Sequence, residues 1–130
     1  LRVSDVARKK GGSFILHDVS VVTDQGGGAQ TWQPRIWLWR RQRSVALVDN
    51  DAFTGSFAIL RQSGYVANIL LPAMAAPAGS TIDQSEIADI ARVYSCERDT
   101  ADMYFDLQTL TAFTPASGAL YLVKFHVTQL

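Results

Sequence analysis

The segment Trp37-Leu38-Trp39-Arg40-Arg41-Gln42-Arg43 carries the side chains of this chain best suited to chemistry, and that chemistry is contact rather than bond-making. Two tryptophans spaced by two share one face of an extended strand. The arginines that follow are planar cations that stack on rings and fork onto carboxylates. Such a set can stack on bases or sugars, and it is also the composition of protein–protein hot spots. A core strand followed by a solvated basic turn would use the same residues. The chain carries 12 basic and 12 acidic residues, for a formal net charge of zero, which argues against a nucleic-acid-binding domain. A second basic group, Arg8, Lys9 and Lys10, lies in the polar segment Leu1–Gly12, which ends in Gly11-Gly12. This segment reads as an N-terminal arm that gains order against a partner. The candidate interface is therefore Arg8, Lys9, Lys10, Trp37, Trp39, Arg40, Arg41 and Arg43.

Residue patterns for catalysis or metal binding are missing from the sequence. His17 and His126 are isolated, each on a strand, and read as solvated or hydrogen-bonded histidines rather than ligands. Asp49-Asn50-Asp51 opens like a calcium loop, but Phe53 stands where an oxygen ligand belongs, Thr54 where glycine belongs and Leu60 where the closing glutamate belongs. It reads as a turn. There is no Gly-x-Ser-x-Gly elbow and no Ser-x-x-Lys pair. Cys96, the only cysteine, has no local signature and reads as a half-buried structural thiol; alone, it excludes an intrachain disulfide. Gly26-Gly27-Gly28 lacks the Gly-Lys-Ser/Thr of a phosphate loop and reads as a hinge. No catalytic, cofactor-binding or metal-binding residues are assigned, and the chain reads as a non-enzyme.

The elements that would position these residues are mostly strands. Ser13–Thr23 is rich in β-branched and aromatic residues. Its apolar face changes from Phe14 and Leu16 to Val19 and Val21, which predicts a bulge or a strand passing between sheets. Asp24 to Gly28 follows as a turn. Pro34–Arg40 places Ile36 and Leu38 on one face, Trp37 and Trp39 on the other. Tyr65–Leu71 alternates as a core strand, Pro72–Gly79 reads as a loop, and Arg92–Cys96 is short. Met103–Thr114 changes face, and Ala119–Thr128 turns Tyr121, Val123, Phe125 and Val127 inward. The turn Pro115–Gly118 predicts an antiparallel hairpin between these last two. One helix, about Gln84–Ala91, is predicted from the capping spacing of Asp83 and Glu86 and the flanking Ile82 and Ile87. With 130 residues and 48% hydrophobic composition, the prediction is all-β: a single β-sandwich or jelly roll over 13–130. It has seven to eight mostly antiparallel strands and at most one short helix.

Residues 1–61 hold nine basic and five acidic side chains, and residues 62–130 hold three and seven. This gives two opposed patches if the halves are separate, or an averaged surface if they interleave. No apolar run approaches the roughly 18 residues of a membrane span. The chain opens on Leu1, with no signal-peptide pattern after it, as in a processed or incomplete N-terminus.

Several pieces, in order, resemble a family of small virion proteins of tailed bacteriophages. They are Gly11-Gly12 before the first strand, Val21-Val22-Thr23-Asp24 at its end, Pro34-Arg35-Ile36-Trp37-Leu38-Trp39, Asp49-Asn50-Asp51-Ala52-Phe53, and Val127-Thr128-Gln129. The segment Leu71–Ser80 and the predicted helix have no counterpart in that pattern. The resemblance implies a β-sandwich that decorates and cements the outside of a capsid assembled in the host cytoplasm. Its implied partners are the major capsid protein and copies of itself, a homotrimer being natural at threefold positions. It transfers no catalytic residues, because such proteins have none. Tail proteins of phages share this architecture. A carbohydrate-binding module is the rival from another class, with Trp37, Trp39, Tyr94 or Tyr104 as a stacking platform.

Overall fold

The computed structural model describes residues 1–24, 31–43, 57–77, 81–111 and 119–130. Eight strands and one helix occur among them: β1 (Arg2–Val3), β2 (Ser13–Asp24), β3 (Pro34–Trp39), α1 (Phe57–Gln62), β4 (Tyr65–Leu70), β5 (Ile82–Ile87), β6 (Arg92–Ser95), β7 (Met103–Thr109) and β8 (Tyr121–Gln129). They form two antiparallel sheets, an all-β sandwich. One sheet runs β1-β7-β3-β4. The other is organised on β2, with β8 along one side and β5 and β6 sharing the opposite side.

β2 explains this second sheet. Its β-branched and aromatic residues suit the pleat, and Phe14, Leu16, Val19 and Val21 are all buried. The change of face is a β-bulge between Leu16 and Asp18. The strand stays in one sheet and exchanges neighbours there, β6 opposite Ser13–Leu16 and β5 opposite Val19–Asp24. Across the core, Ile36, Leu38 and Phe105 come from the first sheet, and Phe105 meets Phe125 of β8 edge to face with ring centroids 5.0 Å apart. The two halves of the chain thus interleave in both sheets. Among the described strands, β2 and β3 pair only with strands of the second half, which mixes the charge asymmetry of the sequence.

Four expectations are corrected. Residues 82–87 form a strand, not a helix: Asp83 and Ser85 are buried while Gln84 and Glu86 are exposed, a period of two. Pairing with β2 satisfies the backbone that the capping spacing was read as serving. The helix lies instead at Phe57–Gln62. The last two strands are not a hairpin, because β7 pairs with β1 and β3 while β8 pairs with β2. They face each other across the core through Phe105 and Phe125. β7 also ends at Thr109. Tyr65–Leu70 is, among the described strands, an edge strand bonded to β3 alone; Ile69 and Leu71 lie in the core with Ala67 against it, as the alternation predicts, but a bulge between Leu38 and Trp39 sets Tyr65 opposite Trp39 rather than in the core. The residues after Asp24 in the first turn, Asp49–Phe53, the end of the small-residue loop, Ala112–Thr114 and the turn Pro115–Gly118 lie outside the described residues.

The leading segment is part of the domain rather than a free arm. β1 pairs with β7, Val6 and Ala7 are each 3% exposed within the core, and the chain then turns at Gly11. Gly11 has φ +67°, and a Cβ there would sit 3.2 Å from the Arg98 carbonyl oxygen. Gly11→Ala is therefore expected to cost about 1–2 kcal/mol, read as a lower urea midpoint at unchanged m-value.

Candidate interaction surface

The tryptophan strand builds the outer face of the first sheet. β3 is one of its two interior strands, and the register sets Trp39 between Tyr104 and Tyr65, and Trp37 between Asp106 and Asn68. The indoles of Trp37 and Trp39 stack with centroids 6.0 Å apart and planes 13° apart. Tyr65 meets the Trp39 ring near edge-on at 5.9 Å. Trp39 Nε1 donates to Asp106 Oδ2 at 3.0 Å, and Trp37 Nε1 donates to Gln108 Oε1 at 2.8 Å. Arg43 folds back over Trp39, its guanidinium carbon 5.4 Å from the ring centroid, and donates to the same Asp106 oxygen at 3.1 Å. Trp39 is 1% exposed and the Arg43 side chain 7%. Both faces of β3 are apolar, as its sequence shows, but Trp39 is a packed residue of a second small core. Trp37 stays half-buried above it. The four aromatics of a sugar platform are not brought to one face: Tyr94 packs on Phe14 of the other sheet, centroids 6.0 Å apart.

The basic segments meet elsewhere. The turn that carries Arg8, Lys9 and Lys10 is bonded to residues 96–100: Cys96 N donates to the Gly12 carbonyl, and Gly11 N donates to the Thr100 carbonyl. The extension of β3 is tied to the same loop. Arg41 forks onto Glu97 through Nε and an Nη, both at 3.1 Å. Its neighbour Arg40 lies near enough to influence both Cys96 and Glu97. The Arg41 bond holds the Glu97 carboxyl below its usual range and raises the guanidinium in turn. This exposed pair orients the two loops more than it stabilises them. Arg8, Lys9, Lys10, Arg40, Arg41 and Arg98 are all exposed at this end, outnumbering the acidic Asp5, Glu97, Asp99 and Asp102 of the same segments. A chain of zero net charge therefore has a basic end, made from two sequence-distant segments.

The remaining candidates are placed as follows. Cys96 is 5% exposed; burial first, then the Asp102 carboxylate, pushes its thiol up, with Arg40 opposing. A buried thiol held protonated is a packing residue. His17 and His126 are not isolated in space: their rings lie 5.2 Å apart on the outer face of the second sheet. The bulge brings Asp18 opposite His126. His126 Nδ1 donates to Asp18 Oδ2 at 2.8 Å, which lowers the Asp18 carboxyl, and His17 Nε2 shares a 2.8 Å hydrogen bond with Thr128 Oγ1. More than a hundred residues separate the two histidines, and the only sequence signal was the face change that marks the bulge. Among the described residues no three His, Cys, Asp or Glu side chains converge as metal ligands, and no helix is long and apolar enough to cross a membrane. The chain matches no protein-family model, no curated protein and no solved structure.

Proposed function

We propose that this chain is a non-enzymatic virion structural protein that binds and reinforces the outside of a tailed-phage capsid, docking on the major capsid protein through its basic end. The supporting observation is that the turn carrying Arg8, Lys9 and Lys10 and the segment carrying Arg40 and Arg41 are both tied to the loop of residues 96–100, the first through the backbone of Gly11 and Gly12, the second through the Arg41–Glu97 pair. Cations on anchored turns lose little freedom on docking and attract an acidic surface at long range. The capsid as partner comes from the sequence resemblance; the anchored basic patch gives that resemblance a docking surface. The carbohydrate reading finds less support, because a ring that is 1% exposed offers no face to a sugar.

Co-sedimentation with purified capsid shells is the test. Wild-type chain is expected to saturate the shells at a fixed copy ratio, with affinity that falls as salt rises. The triple variant Lys9→Glu/Lys10→Glu/Arg40→Glu should lose at least about tenfold in affinity while unfolding at the wild-type urea midpoint. Wild-type chain that stays in the supernatant, or a triple variant that binds as well as wild type, would overturn the reading.

A further inference from the structure

β8 is the most exposed long element of the fold. Among the described strands its nine residues, Tyr121–Gln129, pair with β2 alone, and none is buried; the side chains at its two ends reach other segments, Tyr121 packing on Trp32 and Gln129 Nε2 donating to the Asp5 carbonyl. Asp24 N donates to the Leu120 carbonyl, and Leu130 N donates to the Ser13 carbonyl. The even-numbered residues therefore direct their backbone groups at β2. By strand geometry the odd-numbered ones, Val123, Phe125 and Val127 among them, direct theirs away from it. Edge strands that remain single are kept short, bulged, covered, or broken by proline or an inward charge. β8 has no proline or glycine, its bulge belongs to β2, its one Lys points outward, and no other described strand pairs with it.

We propose that β8 pairs antiparallel with β8 of a second copy of this chain, about a two-fold axis at Phe125, joining the two sheets into one. The strand is self-complementary in that register. Phe125 meets Phe125 of the second copy in a hydrogen-bonded pair, and Val123 meets Val127 of the second copy. The partly buried row of Val123, Phe125 and Val127 then runs on from one core into the next. On the outer face, Leu122 comes opposite Thr128 of the second copy. Lys124 comes opposite His126 of the second copy, whose hydrogen-bond partner is Asp18. The row across the joined sheet reads Glu86, Ser20 and Lys124, then His126 and Asp18 of the second copy, so the lysines are flanked by acidic ends. A two-fold contact of this kind closes on itself at two copies. It does not rest on the capsid reading, and no shell enters its test.

Light scattering on the purified chain is expected to give twice 14.3 kDa at high concentration. His126→Lys sets two lysine pairs against each other, and should weaken association about tenfold; Lys124→Glu/His126→Lys should restore it. The register is read by cross-linking. Lys124 and His126 of the two copies form a non-hydrogen-bonded pair, whose Cα spacing of about 4.5 Å accepts a disulfide. A mixture of Lys124→Cys and His126→Cys chains should therefore oxidise to a linked pair faster than either variant alone. Cys96 is buried and does not compete. A chain that stays at 14.3 kDa at its highest soluble concentration would overturn the pairing, as would a dimer in which the mixed cysteines link no faster than the single variants.

Discussion

Trp39→Ala is expected to lower the free energy of unfolding by about 3–5 kcal/mol, a large part of the roughly 5–15 kcal/mol available to a domain. Trp39 combines 1% exposure with a stacked indole, an edge-on tyrosine, an arginine over its ring and an indole N–H bond to Asp106. Truncation removes the ring and with it the surface over which the Arg43 guanidinium lies. Trp37→Ala, on the half-exposed neighbour, should cost about 1–2 kcal/mol by area alone. Urea unfolding followed by circular dichroism compares the two without using the tryptophans as reporters. Equal midpoints for Trp39→Ala and wild type would show that the outer layer of the first sheet is not packed as described. Because Trp39 acts through stability, its removal is a poor probe of docking. The basic end, whose side chains are exposed, can be altered without that cost.

What the sequence disclosed follows from where periodicity is unambiguous. In Val123–Thr128 apolar and polar residues alternate without interruption, and the strand forms with Val123, Phe125 and Val127 against the core. In β2 the two apolar registers are offset by one residue, and the extra residue is the bulge itself. Residues 82–87 misled because Asp83 and Glu86 stand at capping distance on a helix, while Asp83 and Ser85 stand on one face of a strand. Both patterns fit six residues, and only the presence of an unpaired length of β2 decides between them. Similarly, a proline and glycine turn between two strands signals a reversal, not whether the strands bond side by side or face each other across a core. Phe105 and Phe125 took the second course. The basic end and the histidine pair were out of reach for a related reason. Each is made by contacts between segments far apart in sequence, the first through residues 96–100 and the second through the β2–β8 register.

Deleting Ser20 is expected to remove several kcal/mol and leave little folded protein, whereas deleting His17, three residues away in the same strand, should be tolerated. The bulge makes the two deletions differ. β2 has one residue more than its partner β8 between Leu16 and Asp18. Without His17 the chain alternates regularly: Phe14, Leu16, Val19 and Val21 all keep their inward places, and Asp18 stays opposite His126. The losses are the hydrogen bonds of His17 to Thr128 and to the Ile90 N–H, about 1 kcal/mol each at most on the solvated face. Without Ser20 the strand can also regain its register by absorbing the bulge, since a slip of the whole strand would turn Val21 outward and Asp24 inward. Absorbing it leaves Phe14, Leu16, Val21 and Thr23 in place, but the inward site now held by Val19, at 0% exposure, goes to Asp18. An unpaired carboxylate in that core costs about 3–5 kcal/mol, in addition to the lost valine contacts. Circular dichroism and urea unfolding of the two deletion variants give the comparison. Equal stability of both, at either level, would mean that the bulge does not hold the offset between the two apolar registers of β2.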